Sequence, residues 1–197
     1  MAEKELARVV HLVRQSLGFF HESTIPAAID VAEVLDSVLI VYAAQLERRH
    51  ITVSKQYRLD RTIESYPGEI RQVFSTLLVN AMDALVTGGA IVVRADARSE
   101  WKCCTQGVRI TVADSGVGIP PQLLGRVFEP FYTTKGKHGT GLGLWVTEAI
   151  VRRLNGSIRV RSDIRPGKSG TSFSVFLPSC TKEKTGLATA SAQAAVT

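Results

Sequence analysis

Three short stretches of this chain carry side chains and backbone suited to a charged ligand. In the first, Asn80 and Asp83 fall in one narrow sector of a helical pattern together with Thr76 and Thr87. Their oxygens would suit a hard cation such as magnesium, which takes few protein ligands and fills its shell with phosphate oxygens and water. The same spacing also describes an exposed polar flank with Asn80 capped or hydrated. The second stretch is Asp114-Ser115-Gly116-Val117-Gly118-Ile119-Pro120. Two glycines let backbone approach a flat ligand while a carboxylate accepts from an amine, although an ordinary Asp-Ser-Gly turn uses the same residues. The third, Gly139-Thr140-Gly141-Leu142-Gly143-Leu144, leads into a helical pattern and presents free backbone N–H groups and a dipole end suited to phosphate. It lacks both the Lys-Ser/Thr of a phosphate loop and the βαβ setting of a dinucleotide fingerprint.

The elements that must position these residues are legible from periodicity. Leu6, Val9, Val13, Leu17 and Phe20 predict an amphipathic helix over 3–20, ended by Ser23, Thr24 and Pro26. Asp30 followed by Glu33 is a variant capping box, and Val31, Val34, Leu35, Val38, Tyr42 and Leu46 extend a second helix to Arg48 and Arg49. Ile51–Arg58 reads as a strand. Pro67-Gly68-Glu69 opens a third helix running to Thr87 and stopped by Gly88-Gly89, with Ile70, Val73, Phe74, Leu77, Ala81, Ala84 and Leu85 as its core stripe. Strands at 90–98 and 108–113 enclose a hairpin excursion with Trp101, Cys103 and Cys104; a helix at 142–154 precedes strands at 157–162 and 171–177. This order predicts an α+β two-layer sandwich whose mixed, mostly antiparallel sheet carries helices on one face. The organisation expected is a helical segment at 1–22, one domain at 23–179 and a disordered tail at 180–197.

Composition removes several classes of function. With 197 residues, 45% hydrophobic and 21% charged, the chain can bury one good-sized core. Its longest relevant apolar run, Val38 to Ala44, falls far short of the ~20 residues of a membrane span, and the first residues lack a signal-peptide pattern, so no membrane insertion and a cytoplasmic location are expected. Three cysteines fit neither a disulfide framework nor zinc-ligand spacing. The net charge of +6 admits a nucleic-acid partner. The densest basic stretch, Arg152 to Lys168, has no interleaved aromatics, so it reads as a solvated face and no nucleic-acid partner is expected.

Taken together and in order, these stretches resemble one known superfamily. Asn80 in Asn-Ala-Met-Asp-Ala, Asp114 to Pro120, Phe128-Glu129-Pro130-Phe131 and Gly139 to Leu144 resemble the N-box, first glycine box, F-box and second glycine box of the GHKL ATP-binding superfamily, and most of all those of sensor histidine kinases. Gly170-Thr171 looks like the family's third glycine element, and the resemblance runs from Glu5 to Pro178. It implies a Bergerat-type fold, ATP and Mg2+ as ligands, and a phosphotransferase whose γ-phosphoryl goes to a histidine. The first segment would be the second helix of a dimerisation hairpin, and the partners a second copy of the chain and a response-regulator receiver domain. Carried over, Asn80 holds magnesium, Asp114 accepts from the adenine amine, and Gly116, Gly118 and Ile119 border the base. Gly139, Thr140, Gly141, Leu142, Gly143 and Leu144 wrap the phosphates, Asp83 and Thr171 line the site, and residues 133–138 form a lid. In that lid Thr134, Lys135 and, less directly, Lys137 face phosphate, with Lys135 catalytic beside Asn80, and Phe128 and Phe131 anchor its base.

Thr76 departs from the pattern. Relatives that hydrolyse ATP, the gyrase and chaperone types, have a glutamate there as general base for water, a role threonine lacks. Transfer to another acceptor is therefore expected over efficient hydrolysis. The acceptor itself is a further question: His21-Glu22 with Pro26 superficially matches an acceptor motif, but His21 lies only 59 positions before Asn80. That leaves no room for an acceptor helix, its turn and its returning helix, so the acceptor is expected upstream and the chain by itself should not autophosphorylate. A GHKL nucleotide-binding regulatory module and an anti-sigma-type serine kinase are the rival readings.

Overall fold

The computed structural model describes residues 25–59, 62–86, 88–100, 105–136 and 139–179. The expected helix at 3–20, His21, Thr87, the Trp101-to-Cys104 excursion, Lys137, His138 and the segment from Cys180 onward lie outside these residues.

The chain runs β1 (Ala27–Ile29), α1 (Val31–Arg48), β2 (Ile51–Arg58), β3 (Ile63–Ser65), α2 (Pro67–Ala84), β4 (Gly89–Glu100), β5 (Thr105–Asp114), α3 (Pro121–Leu124), α4 (Gly143–Arg153), β6 (Ser157–Asp163) and β7 (Gly170–Pro178). Five strands form one sheet in the order β2-β4-β5-β7-β6, and β1 pairs with β3 in a separate antiparallel ribbon. Within the large sheet only β2 and β4 are parallel; β4–β5, β5–β7 and β6–β7 are antiparallel.

Alternation along the strands decides which face is buried. Ile91, Val93 and Ala95 of β4, Val108, Ile110 and Val112 of β5, and Phe173, Val175 and Leu177 of β7 point into the core. Their neighbours Arg94, Thr111 and Ser174, aligned in register with Arg159 of β6, occupy the opposite face. Helices cover the apolar face: α2 contributes Ile70, Val73, Phe74, Leu77, Leu78, Ala81 and Met82, and α1 contributes Val31, Val34, Leu35, Val38 and Leu39. The result is the two-layer α+β sandwich expected, with helices on one face of a mostly antiparallel sheet.

Local chemistry explains the helix starts. Asp30 caps α1 by accepting from the Ala32 N–H at 2.8 Å, and Pro67 opens α2 at a position where its missing N–H costs nothing. Arg153 of α4 pairs with Glu69 of α2, tying the end of one helix to the start of the other.

Several boundaries and three short elements differ from the sequence reading. Helix α2 stops at Ala84, not Thr87: the Leu85 N–H turns back to Met82 O at 3.2 Å, and Gly89 already belongs to β4. β1, β3 and α3 were not anticipated, because three- and four-residue elements carry no periodicity. β4 and β5 are longer than 90–98 and 108–113, because their pairing continues to Glu100 opposite Thr105.

Candidate functional site

A cavity of about 600 Å³ lies between α2, the end of β5, β7, the segment 132–135 and the start of α4. That volume is within the ~300–1,000 Å³ usual for small-molecule sites. Its walls include Asn80, Asp83, Asp114, Gly118, Ile119, Thr134, Lys135, Gly139, Thr140, Gly141, Leu142, Gly143, Leu144 and Thr171. Residues separated by as many as 91 positions thus meet in one space.

The α2 wall follows from helical spacing. With the stripe Val73, Leu77 and Ala81 turned into the core, Thr76, Asn80 and Asp83 fall on the adjoining sector, where all three line the cavity. The expected sector is therefore a cavity wall and not a solvated flank.

The floor is held by a lattice of hydrogen bonds. Asp114, at the end of β5, accepts through Oδ1 from the N–H groups of Gly116 at 2.8 Å and Thr171 at 3.2 Å. Its Oδ2 has no protein donor among the described residues. Burial lifts the Asp114 pKa above its ordinary value, and backbone hydrogen bonds from Gly116, Thr171 and Asp114 itself only partly oppose that rise. The following loop is pinned to α2 by Val117 N–H donating to Ala84 O at 3.2 Å, and to β4 by Ala90 N–H donating to Ser115 Oγ at 3.0 Å. Gly118 has φ +78°, and a Cβ there would collide with the Asp163 carbonyl, so only glycine fits. Ser162 of β6 gathers this corner: its Oγ accepts from the Ile119 N–H at 2.7 Å, donates to Gly170 O at 2.7 Å and lies 2.9 Å from Thr171 Oγ1.

The opposite wall is the start of α4. Leu142 is its N-cap residue and provides no side-chain cap, so the first N–H groups of an 11-residue helix keep their orphan donors and positive dipole end beside the cavity. Before it, Gly141 has φ +67° and sits against the Phe131 backbone, where a Cβ would clash.

Lys135 crosses the cavity mouth. Its ammonium donates to Asn80 Oδ1 and to Asp83 Oδ2, each at 2.8 Å, and Arg49 at the end of α1 reaches Asp83 Oδ1 at 3.4 Å. Asn80 and Asp83 thus form an oxygen donor set already satisfied by a cation. Such a set fits a hard divalent ion that draws its remaining ligands from phosphate and water. Among the described residues no group of three His, Cys, Asp or Glu side chains is arranged for a metal, so a cation here would depend on its ligand for most of its shell.

Two expected residues lie off the cavity. Gly116 packs on Ala84, where a Cβ would strike the helix end, and its contribution is the N–H given to Asp114. Phe131 is 75% exposed with φ +64° and does not anchor the lid. Phe128 does pack inward, edge-on to Phe173 at 6.5 Å between centroids. The reason is the turn at Pro130-Phe131, whose left-handed backbone sends the two aromatics opposite ways. Sequence reasoning missed Arg49 and Ser162. Both are polar residues on elements distant in sequence, and only the packing brings them to the site.

Comparison with known proteins places this arrangement. The family described as histidine kinase-, DNA gyrase B-, and HSP90-like ATPase matches residues 66–181. Sensor kinase CckA of Brucella abortus (strain 2308) is 36% identical over 194 residues, covering 90% of this chain and 20% of the relative. Sporulation kinase A of Bacillus subtilis (strain 168) is 32% identical over 179 residues, covering 88% and 28%. The chain therefore spans a fifth to less than a third of these relatives. Among solved structures, the catalytic domain of histidine kinase ThkA superposes with TM-score 0.68 at 26% identity, covering 78% of this chain and 97% of that one. ThkA in complex with response regulator protein TrrA gives TM-score 0.70 at 23% identity, a likeness of fold, covering 91% and 49%. No helix of the described residues is long and apolar enough to cross a membrane. The family model matches more than half of the chain, and the chain belongs to the histidine kinase-, DNA gyrase B- and HSP90-like ATPase family.

Proposed function

We propose that this chain is the ATP-binding catalytic domain of a sensor histidine kinase, which presents the γ-phosphoryl of ATP to a histidine for relay to an aspartate of a response regulator. The observation that carries the reading is Asp114. Its Oδ1 is immobilised by two backbone N–H groups and the residue lines a cavity of nucleotide size, an arrangement suited to a carboxylate accepting from an amine such as that of adenine.

In this reading the other residues divide by chemistry. Gly118, Ile119 and Thr171 border the base, while the N–H groups of Gly141, Gly143 and Leu144 face the phosphates from the start of α4, with Leu142, whose N–H donates to Thr140 Oγ1 at 3.3 Å, beside them and Gly139, Thr140 and Thr134 at the rim. Asn80 would hold Mg2+, which when bound offsets phosphate charge, while Asp83 lines the same wall. Lys135 supplies a further positive charge to the transferring phosphoryl, and the apolar walls from Val79, Leu123 and Phe173 exclude water. Thr76 cannot deprotonate water, so the phosphoryl waits for a better nucleophile. Residues 1–22 are read, from the apolar spacing of Leu6, Val9, Val13, Leu17 and Phe20, as the second helix of a dimerisation hairpin. A second copy of the chain and a receiver domain are the partners this reading entails, with the acceptor a histidine other than His21.

Calorimetric titration with a non-hydrolysable ATP analogue, with and without magnesium, tests the site on the parent chain and on Asn80→Ala and Asp114→Ala. Magnesium-dependent binding in the parent, with the magnesium dependence lost in Asn80→Ala and the affinity weakened in Asp114→Ala, is the expected result; binding untouched by either substitution would refute the site. The specific observation favouring a nucleotide-sensing module without transfer is Thr76. Tight nucleotide binding with no label passed to a supplied acceptor helix would select it.

A further inference from the structure

The nucleotide reading does not use the contact that Lys135 and Asp83 make with each other. The Lys135 ammonium bridges Asn80 Oδ1 and Asp83 Oδ2 at 2.8 Å each, while Arg49 holds the other Asp83 oxygen at 3.4 Å. Three separate parts of the fold meet there: the end of α1, one turn of α2, and the segment between Phe131 and the glycine run. Asn80 and Asp83 are three positions apart on α2 and so present their oxygens to the same side.

Resting on the reading of Asn80 as the cation ligand, we propose that Asp83 is a positioning residue for the lid and not a nucleotide ligand: it holds Lys135 at the Asn80 oxygen, so that lysine and divalent cation compete for one seat.

The competition follows from distances. A magnesium ion bonds oxygen at about 2.1 Å, so one on Asn80 Oδ1 would lie within about 5 Å of an ammonium 2.8 Å from the same atom. Two positive charges that close repel strongly in a partly enclosed site. Lys135 must then give up Asn80, and the phosphate side of the cavity is where its freed charge is attracted. Asp83, kept in place by Arg49, decides how readily that exchange occurs, because it is the oxygen Lys135 retains longest. The half-exposed Asp83–Lys135 pair contributes little to folding, so its removal should leave the domain intact.

The exchange is read with ADP as the probe, which lacks the γ-phosphoryl group. ADP is titrated into the full chain at a series of magnesium concentrations, for the parent, Lys135→Met, Asp83→Asn, Asp83→Glu and Asn80→Ala. In parallel, trypsin cleavage of the bond after Lys135 is followed by mass spectrometry. With the competing ammonium gone, Lys135→Met should reach half-saturation at about fivefold less magnesium, a typical coupling between two ligands of one site. Asp83→Asn should speed cleavage after Lys135 several-fold without weakening ADP as Asn80→Ala does, and Asp83→Glu should restore protection. A magnesium midpoint unchanged or raised in Lys135→Met overturns the proposal, as does ADP weakening in Asp83→Asn equal to that in Asn80→Ala. If Asn80→Ala keeps magnesium-dependent ADP binding, the site reading falls and takes this proposal with it; a lost Asn80→Ala response beside an unmoved Lys135→Met midpoint removes the proposal alone.

Discussion

The floor and the mouth of the cavity are built on opposite principles. At the floor, Asp114, Ser115, Gly118, Ser162 and Thr171 are cross-linked by hydrogen bonds among four strands and the end of α2, and a glycine is packed where no side chain fits. At the mouth, the segment 131–136 is held by the Lys135 ammonium on Asn80 and Asp83 and by Gly141 against the Phe131 backbone, with the Lys135 N–H donating to Thr133 Oγ1 at 3.1 Å inside the segment. A preorganised floor spends no binding energy on ordering itself; a mouth held by exposed charge pairs can rearrange at small cost. The contrast suggests that recognition of the base belongs to the floor and that timing belongs to the mouth.

Substitutions that attack the floor should have the largest effects. Gly118→Val forces a β-branched residue into φ +78° and against the Asp163 carbonyl, and should cost about 2–4 kcal/mol of stability, measured by urea unfolding. Asp114→Ala removes a charged acceptor and should weaken nucleotide by about 1.5–3 kcal/mol in calorimetry, while leaving magnesium dependence in place.

Acidity offers a finer probe of the floor. Burial raises the Asp114 pKa in the folded chain, so folding favours the protonated form. The stability from this group is fully present below the unfolded carboxylate value and is lost as pH rises through the raised folded value. For binding the sign reverses, since only the carboxylate accepts from an amine. Nucleotide affinity should therefore fall on acidification from a higher pH than an ordinary aspartate would give, and Asp114→Asn should flatten that dependence. A pH profile identical in parent and Asp114→Asn would show that the floor carboxylate does not meet the ligand.

The smallest effect belongs to the exposed rim of the mouth, and the packed ring beneath it supplies the contrast. Phe131→Ser, at a side chain exposed to solvent, should change unfolding free energy by no more than about 0.5 kcal/mol. Phe128→Ala, which strips the ring stacked edge-on to Phe173, should cost about 2–4 kcal/mol by the same measurement. Equal costs for the two would erase the distinction between a packed base and an open rim.

Much of this was readable beforehand because it rests on local rules. Asp30 as a cap, Pro67 as a helix start, the stripe on α2 and the alternation on β4 and β5 each follow from a few neighbouring residues. The polar sector of Thr76, Asn80 and Asp83 follows from the same periodicity. The parallel pairing of β2 with β4 did not, because strand neighbours are chosen by the global packing of helices between them. Nor did the end of α2: Leu85 turns out of the helix to enter the core, and that pull is tertiary. Phe131, three positions after the inward Phe128, reads as a second anchor from spacing alone; its own left-handed backbone accompanies an exposed side chain instead.

By itself, then, the order of residues determined which short stretches hold glycine, carboxylate and amide, and which helix face each side chain shares, since both depend on the covalent spacing of the chain. Only the tertiary structure decided that Arg49 reaches Asp83, that Ser162 joins β6 to the Asp114 loop, and that Lys135 sits on Asn80, because those contacts span 34, 43 and 55 residues. Contacts at such separations are set by how sheet and helices bury their apolar faces, and no local spacing encodes them.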